Sequence, residues 1–388
     1  TLINTFKAGF SRLLQDRRTQ DLGDYVKYLG IPGPVIADSG ITGVPDIRPT
    51  GVEPIGNPSN LPQGRSDLHY QYVDTLSWNK GKHSMKFGAD ILRAQIFRRS
   101  WGNDRGTYRF DGRYSGFGVA DMLLGLPNQA TRALGDSHSY LLETEMMFFF
   151  QDDFRITPRL TLNLGLRYEN VTPWYDKFDR MSSYNPATNT IEIAGKPTAP
   201  REYLRVDTLD QQIKAISAQL KFADLGQHAM FARDNNNFMP RIGFAWDPRG
   251  NGKQIVRGGA GVFFTTLTTA QDLGNNYPFR LGSQTFTNTS VPASRIMPPE
   301  TFTLVNSFAG QGTATINIIG RQKSFQNGYT TKWSFGQQLQ FLKDFVLDVD
   351  YSGSVTRKYD TSNNINQPPP GPGNVSNRRP IPVYGSIS

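Results

Sequence analysis

From Leu160 the chain alternates without a miss: Leu160, Leu162, Leu164, Leu166 and Tyr168 take one parity, and Thr161, Asn163, Gly165, Arg167 and Glu169 take the other. Successive side chains of a strand point to opposite faces, so the pattern predicts a strand with one apolar and one polar face. The stretch before it keeps the rule more loosely, setting Leu142, Met146, Phe148, Phe150, Phe154 and Ile156 against Glu143, Glu145, Gln151, Asp153 and Arg155, while Met147, Phe149 and Asp152 break it. Only Thr157, Pro158 and Arg159 separate the two halves. A three-residue turn pairing Ile156 with Leu160 would put both apolar sets on one side of a hairpin.

The arms are long. Each runs for about 13 to 17 residues, against ~5 or 6 for strands of soluble domains. A tilted strand needs ~9 to 11 residues to cross a bilayer, so long arms with an oily and a polar face suit a barrel that meets lipid outside and water inside.

The same design recurs along the chain. Leu2, Phe6, Ala8 and Phe10 alternate with polar neighbours; a Gly- and Pro-rich stretch from Leu14 to Ser66 follows, where no long regular element is expected. Leu68, Tyr70, Tyr72, Leu76 and Trp78 share a parity, Asp74 excepted, and Met85, Phe87, Ala89 and Ile91 return after a short turn, with Trp78 expected opposite His83. Phe238, Ile242, Phe244 and Trp246 lead through DPRGNGK to Val256, Val262 and Phe264. The last hairpin sets Trp333, Phe335, Leu339 and Phe341 against Leu347, Val349 and Tyr351, with Lys332, Ser334, Gln338, Gln340, Asp348 and Asp350 on the opposite face. Between hairpins lie long connections, in which Ala120 to Leu126 predicts one or two helical turns, NPATNT a turn, and Asp207 to Phe222 a weak helix.

About nine strands result, with short turns alternating with long loops, as in outer-membrane barrels whose periplasmic turns are short and extracellular loops long. The expected fold class is all-β: part of a large antiparallel transmembrane β-barrel. Trp78 and Trp246 beside short turns, and Tyr168, Trp333 and Tyr351 toward the other ends, would form its aromatic girdles. A soluble sandwich, with the apolar faces packed on a second sheet, is the competing architecture.

Composition sharpens this. Mean hydropathy is −0.48, and no run nears the ~18 apolar residues of a membrane helix; a barrel escapes that test because only alternate residues face lipid. The chain has no Cys, which excludes disulfides and thiol chemistry. Its net charge of +9 is dispersed and carries no nucleic-acid recognition pattern, so nucleic acid is not an expected partner. The denser run Arg93, Arg98, Arg99, Arg105, Arg109 and Arg113 could meet lipopolysaccharide phosphates or form a solvated loop rim.

Chemistry is sparse. His69, His83, His138 and His228 are scattered without metal-ligand spacing, and Gly258 to Gly261 fails the phosphate-loop pattern. Glu143/Glu145 and Asp348/Asp350 are i, i+2 pairs that could act as acid and base, yet lumen-facing charge explains them directly. Ser84 beside His83 would point to the other face of a strand. No enzyme activity and no cofactor are expected. By orientation, the candidates to line a solute path are Glu143, Glu145, Arg167, Glu169, Arg241 and Arg257.

FFFQDDFRITPRLTLNLGLRYEN and FMPRIGFAWDPRGNGKQIVRGGAGVFF, with HSMKFGADI, ADMLLGLP and TKWSFGQQLQFLKDFVLDVDYSGS, resemble the barrel of TonB-dependent outer-membrane receptors of the Oar-like group. The resemblance spans most of Tyr70 to Ser354. It implies a bacterial outer-membrane location, a 22-stranded barrel with an N-terminal plug, and a TonB box coupling it to inner-membrane energy. On that basis residues 1–388 are expected to be one partial barrel domain, with signal peptide, plug and further strands outside the sequence. Outer-membrane lipid and lipopolysaccharide, the TonB complex and an unidentified solute would be its partners. A surface adhesin and a passive porin are the alternatives.

Overall fold

Nine long strands follow one another in the sheet in chain order: β1 (Leu2–Arg17), β2 (Gln63–Lys80), β3 (His83–Ser100), β4 (His138–Thr157), β5 (Leu160–Val171), β6 (Asn237–Trp246), β7 (Gln254–Thr265), β8 (Gly328–Leu342) and β9 (Phe345–Arg357). Every neighbouring pair is antiparallel, and a short strand, Tyr175–Asp176, adds to β4. The computed structural model describes all residues but 21–22, 24, 29, 31–42, 101, 136–137, 196–218, 266–272, 275, 289–302, 305–306 and 308–315.

Four links, residues 81–82, 158–159, 247–253 and 343–344, close one end of the sheet; the long connections all leave from the other. Strands of 10 to 20 residues are long enough to cross a bilayer at a tilt. The turns are tighter than the sequence suggests. Lys80, not Trp78, faces His83, and Trp78 faces Met85; the shift is by two residues, so the faces are preserved. Thr157 faces Leu160 in place of Ile156, and the ladder slips between Arg155 and Thr157, after which Arg155 faces Thr161 and the parity is restored. A matching slip between Gln340 and Leu342 precedes the last turn. Such bulges let a two-residue link join arms whose patterns call for three.

One face of the sheet carries the apolar set. Leu164 faces Ile242, Phe150 faces Leu166 and faces Phe87 across the other ladder, and Phe335 faces Tyr351. These side chains are uncovered: Ile242 is 60% exposed, Val349 59% and Phe335 53%. Among the described residues no second sheet stacks on them, so the sandwich architecture fails. Moving each such side chain from water to lipid is worth about 1.5–3 kcal/mol. The face is stable only against a hydrocarbon partner.

The buried core lies elsewhere. Among the described residues, one cluster joins Tyr108, Phe110, Tyr184, Tyr277, Leu281, Phe286, Ile316 and Tyr384, all from the long connections and the stretch beyond β9. A second sets Ala94, Ile96 and Leu141, on the inward parity of β3 and β4, against Trp174, Met181, Met230 and Phe231. The connections that read as loops thus contain three small sheets: 280–287, 129–135, 107–110 and 46–49; 182–185, 190–193 and 222–224; and 316–318 with 384–387. They fold together as a cap that leans on the inner face of the wall. Two local expectations match, a helix at Gly118–Leu123 and the turn between 185 and 190. The weak helix at 207–218 lies outside the described residues.

Candidate functional site

Alternation leaves the inner face of the wall to polar side chains. All six path candidates occupy it. Met147, on β4, faces Asp90 on one side and Glu169 on the other, while Glu145, two residues along, faces Leu92. Glu145 consequently has Glu169, Asp90, His69 and Arg167 as charged or titratable neighbours. The Arg167 guanidinium donates to Glu169 Oε1 at 2.6 Å and also reaches Met147 Sδ. Gln71 Nε2 donates to both Asp90 oxygens at 3.0 and 3.1 Å. Glu143 sits higher, under the cap, 6% exposed and without a hydrogen bond or ion pair, against a small cleft bounded by Phe231, Phe325 and Asn327.

Arg241 and Arg257 stand apart from this group, on β6 and β7. Arg257 is held between two carboxylates of β9, 3.0 Å from Asp348 and 2.9 Å from Asp350. The Arg241 guanidinium lies over the Phe263 ring, 4.6 Å from its centroid. The structure therefore brings Glu143, Glu145, Arg167 and Glu169 together and leaves the other two as separate centres. Sequence reasoning missed Asp90, Gln71 and His69 in the first group. Their parity opposite Phe87, Tyr70 and Tyr72 was the available signal.

His83 and Ser84 point to opposite faces. His83 Nδ1 is 2.7 Å from Asp152 Oδ2 on the outward face, beside the short turns, with its ring stacked on Phe154 at 4.2 Å. No serine joins that pair. Among the described residues no group of three or more His, Asp or Glu is placed to hold a metal ion. The arginine run is largely engaged internally: Arg93 bonds Thr144 and Tyr175, Arg105 bonds the Pro58 carbonyl, and Arg113 pairs with Asp111. Arg109, on the strand 107–110 of the cap, is exposed, so the run is divided between held and open side chains and does not form one basic surface.

An antiparallel meander of spanning length, oily outside, polar inside and closed by short turns at one end, is the architecture of an outer-membrane barrel. The family described as "outer membrane beta barrel domain" matches residues 1–388. The chain belongs to this family. As an outer-membrane barrel domain it resides in the bacterial outer membrane, with its apolar face against lipid.

No curated protein matches this barrel domain in sequence. Among solved structures it is similar to the outer membrane transporter YddB from Escherichia coli, at 12% identity and TM-score 0.38 over 75% of this chain and 26% of that one. The copper transporter OprC aligns at 11% identity and TM-score 0.38, over 92% and 35% of the two chains. The FrpB iron transporter from Neisseria meningitidis aligns at 12% identity and TM-score 0.23, over 90% and 51%. The barrel domain spans from about a quarter to about half of the length of these three transporters.

Proposed function

We propose that the barrel domain belongs to a protein importing a solute across the outer membrane, with uptake driven through TonB, as the Oar-like resemblance of the sequence suggests. The observation that carries this reading is the inner face itself. It is lined with fixed charges and hydrogen-bonding groups from Asp90 on β3 to Asp350 on β9, and roofed by a folded cap rather than by open loops. A wall of that kind offers a solute alternating contact points and a route that the cap restricts. Glu143, Glu145, Arg167, Glu169, Arg241 and Arg257 are the proposed contacts along it. The partners would be lipid and lipopolysaccharide outside, the solute inside and TonB from the periplasm.

Uptake by cells expressing the full-length protein tests this. Collapsing the proton gradient, or deleting the energy-coupling protein, should stop accumulation. Accumulation that continues would make the protein a passive porin. Cell attachment without any uptake would make it an adhesin.

A further inference from the structure

Two cations on the inner face, Arg241 and Lys332, have no carboxylate partner among the described residues. They flank one glycine: Arg241 faces Gly261 across β6 and β7, and Gly261 faces Lys332 across β7 and β8. Both lean over one ring, Arg241 at 4.6 Å and Lys332 at 5.5 Å from the Phe263 centroid. Among the described residues neither forms a salt bridge or a hydrogen bond. The contrast with Arg257 in the same wall is direct, since that side chain is clamped by Asp348 and Asp350. Two like charges drawn to one ring repel each other, so an anion between them would relieve the repulsion.

The space for one is present. An open depression of about 740 Å³ lies along this section of the wall; Arg241, Lys332 and Phe263 edge it with Gly259, Gly261, Ser334, Ser352 and Ser354, and the outward-facing Ile242, Ala260 and Trp333 also border it. Gly243 faces Gly259, and Gly259 faces Ser334, which faces Ser352, so the row below the two cations presents only glycines and hydroxyls. A Cβ on Gly261 would come within 3.1 Å of Arg241 Cγ and push that side chain aside. The glycine therefore keeps the notch open. Hydroxyl groups can donate to anionic oxygens, and Arg offers a planar fork matching carboxylate or phosphate.

We propose that this notch is an anion subsite in the lumen, taking a phosphate or carboxylate group of the solute between Arg241 and Lys332. The proposal rests on the import reading for the identity of that solute, but not for binding itself.

The test is titration calorimetry on the full-length protein in detergent at low salt, with pyrophosphate and citrate as probes and spermine as the cationic control. Arg241→Gln with Lys332→Gln should weaken binding of at least one of the two anions by about tenfold or more, and Lys86→Gln, which removes an inner-face cation on β3 opposite Gln151, should leave it unchanged. Retention of the folded, heat-modifiable band on a gel shows that each variant is assembled. Equal anion affinity in the double variant, or binding of spermine alone, overturns the subsite. So does binding of lipopolysaccharide micelles without either small anion, which would make the cations headgroup contacts. Anion binding that persists while uptake ignores the proton gradient would sink the import reading alone.

Discussion

The ring of Phe149 lies over the backbone of Gly88, its directly opposed partner on β3, on the inner face of the wall. A side chain at residue 88 would collide with that ring, so the two positions share one volume. Phe149 breaks the polar parity of β4 because its partner has no side chain to cover that part of the ladder.

Gly88→Val should therefore overpack the wall, at a cost of about 1–3 kcal/mol, and lower both assembly yield and the thermal midpoint. Phe149→Ala in the same protein should restore part of the loss. A double-mutant cycle measured by heat-modifiable gel migration reads the coupling directly; strictly additive effects would show that the ring and the glycine are independent.

The outward face should reject charge and the inward face accept it. Leu164, opposite Ile242, and Gln151, opposite Gly165, lie at nearly the same height on neighbouring strands but on different faces. Leu164→Arg should cost about 2–4 kcal/mol if this height is near the bilayer midplane, and Gln151→Arg close to nothing. Folding titrations in lipid vesicles compare them. Equal costs would contradict the assignment of faces.

Most of this wall was legible in the chain because water on one side and lipid on the other impose a period of two. Leu160 to Tyr168 carries that period without error. The turns were less legible: bulges near Ile156 and Phe341 absorb one residue each, which no pattern of apolar positions records. The cap was legible only in two local pieces, the helix at Gly118–Leu123 and the turn between 185 and 190; its core was not, because it takes Tyr108, Tyr184, Tyr277 and Tyr384 from four separate segments, too few per segment to make a period. The inner-face candidates followed from parity alone, whereas Asp90 and the notch beside Gly261 depend on which strands are neighbours.

Asp104, in the connection between β3 and β4, makes the stability of the cap fall as pH rises toward neutrality. Burial pushes its carboxyl up to about 6 from the ordinary 3.8, against the pull of Arg280 at 3.3 Å and of the Gly102 N–H. A raised carboxyl destabilises the fold once ionised, so its contribution is most favourable below 3.8 and is lost as pH rises through about 6. Exchange protection of Arg280–Thr287, corrected for intrinsic rates, should be higher at about pH 4 than at about pH 7 as far as this group is concerned. Asp104→Asn should flatten that part of the profile; an unchanged profile would remove Asp104 as its source.

Glu143 is a buried carboxyl that forms no hydrogen bond or ion pair among the described residues. Exchanging it for an amide of the same size removes the cost of burying an ionisable group without a partner, so Glu143→Gln should raise the stability of the barrel by about 1 kcal/mol or more. The thermal midpoint measures this. A fall would mean that Glu143 is paired with a cation in the assembled protein.

The Tyr184 and Tyr384 rings meet edge to face with centroids 5.3 Å apart, one from the connection after β5 and the other from beyond β9. Each long strand needs only its predecessor in sequence, so the wall can lengthen hairpin by hairpin as the chain arrives. The roof has no such freedom, since its aromatic centre is incomplete until the stretch that carries Tyr384, beyond β9, is delivered. Biogenesis thus has a built-in order in which a membrane-embedded scaffold exists before its entrance is shut.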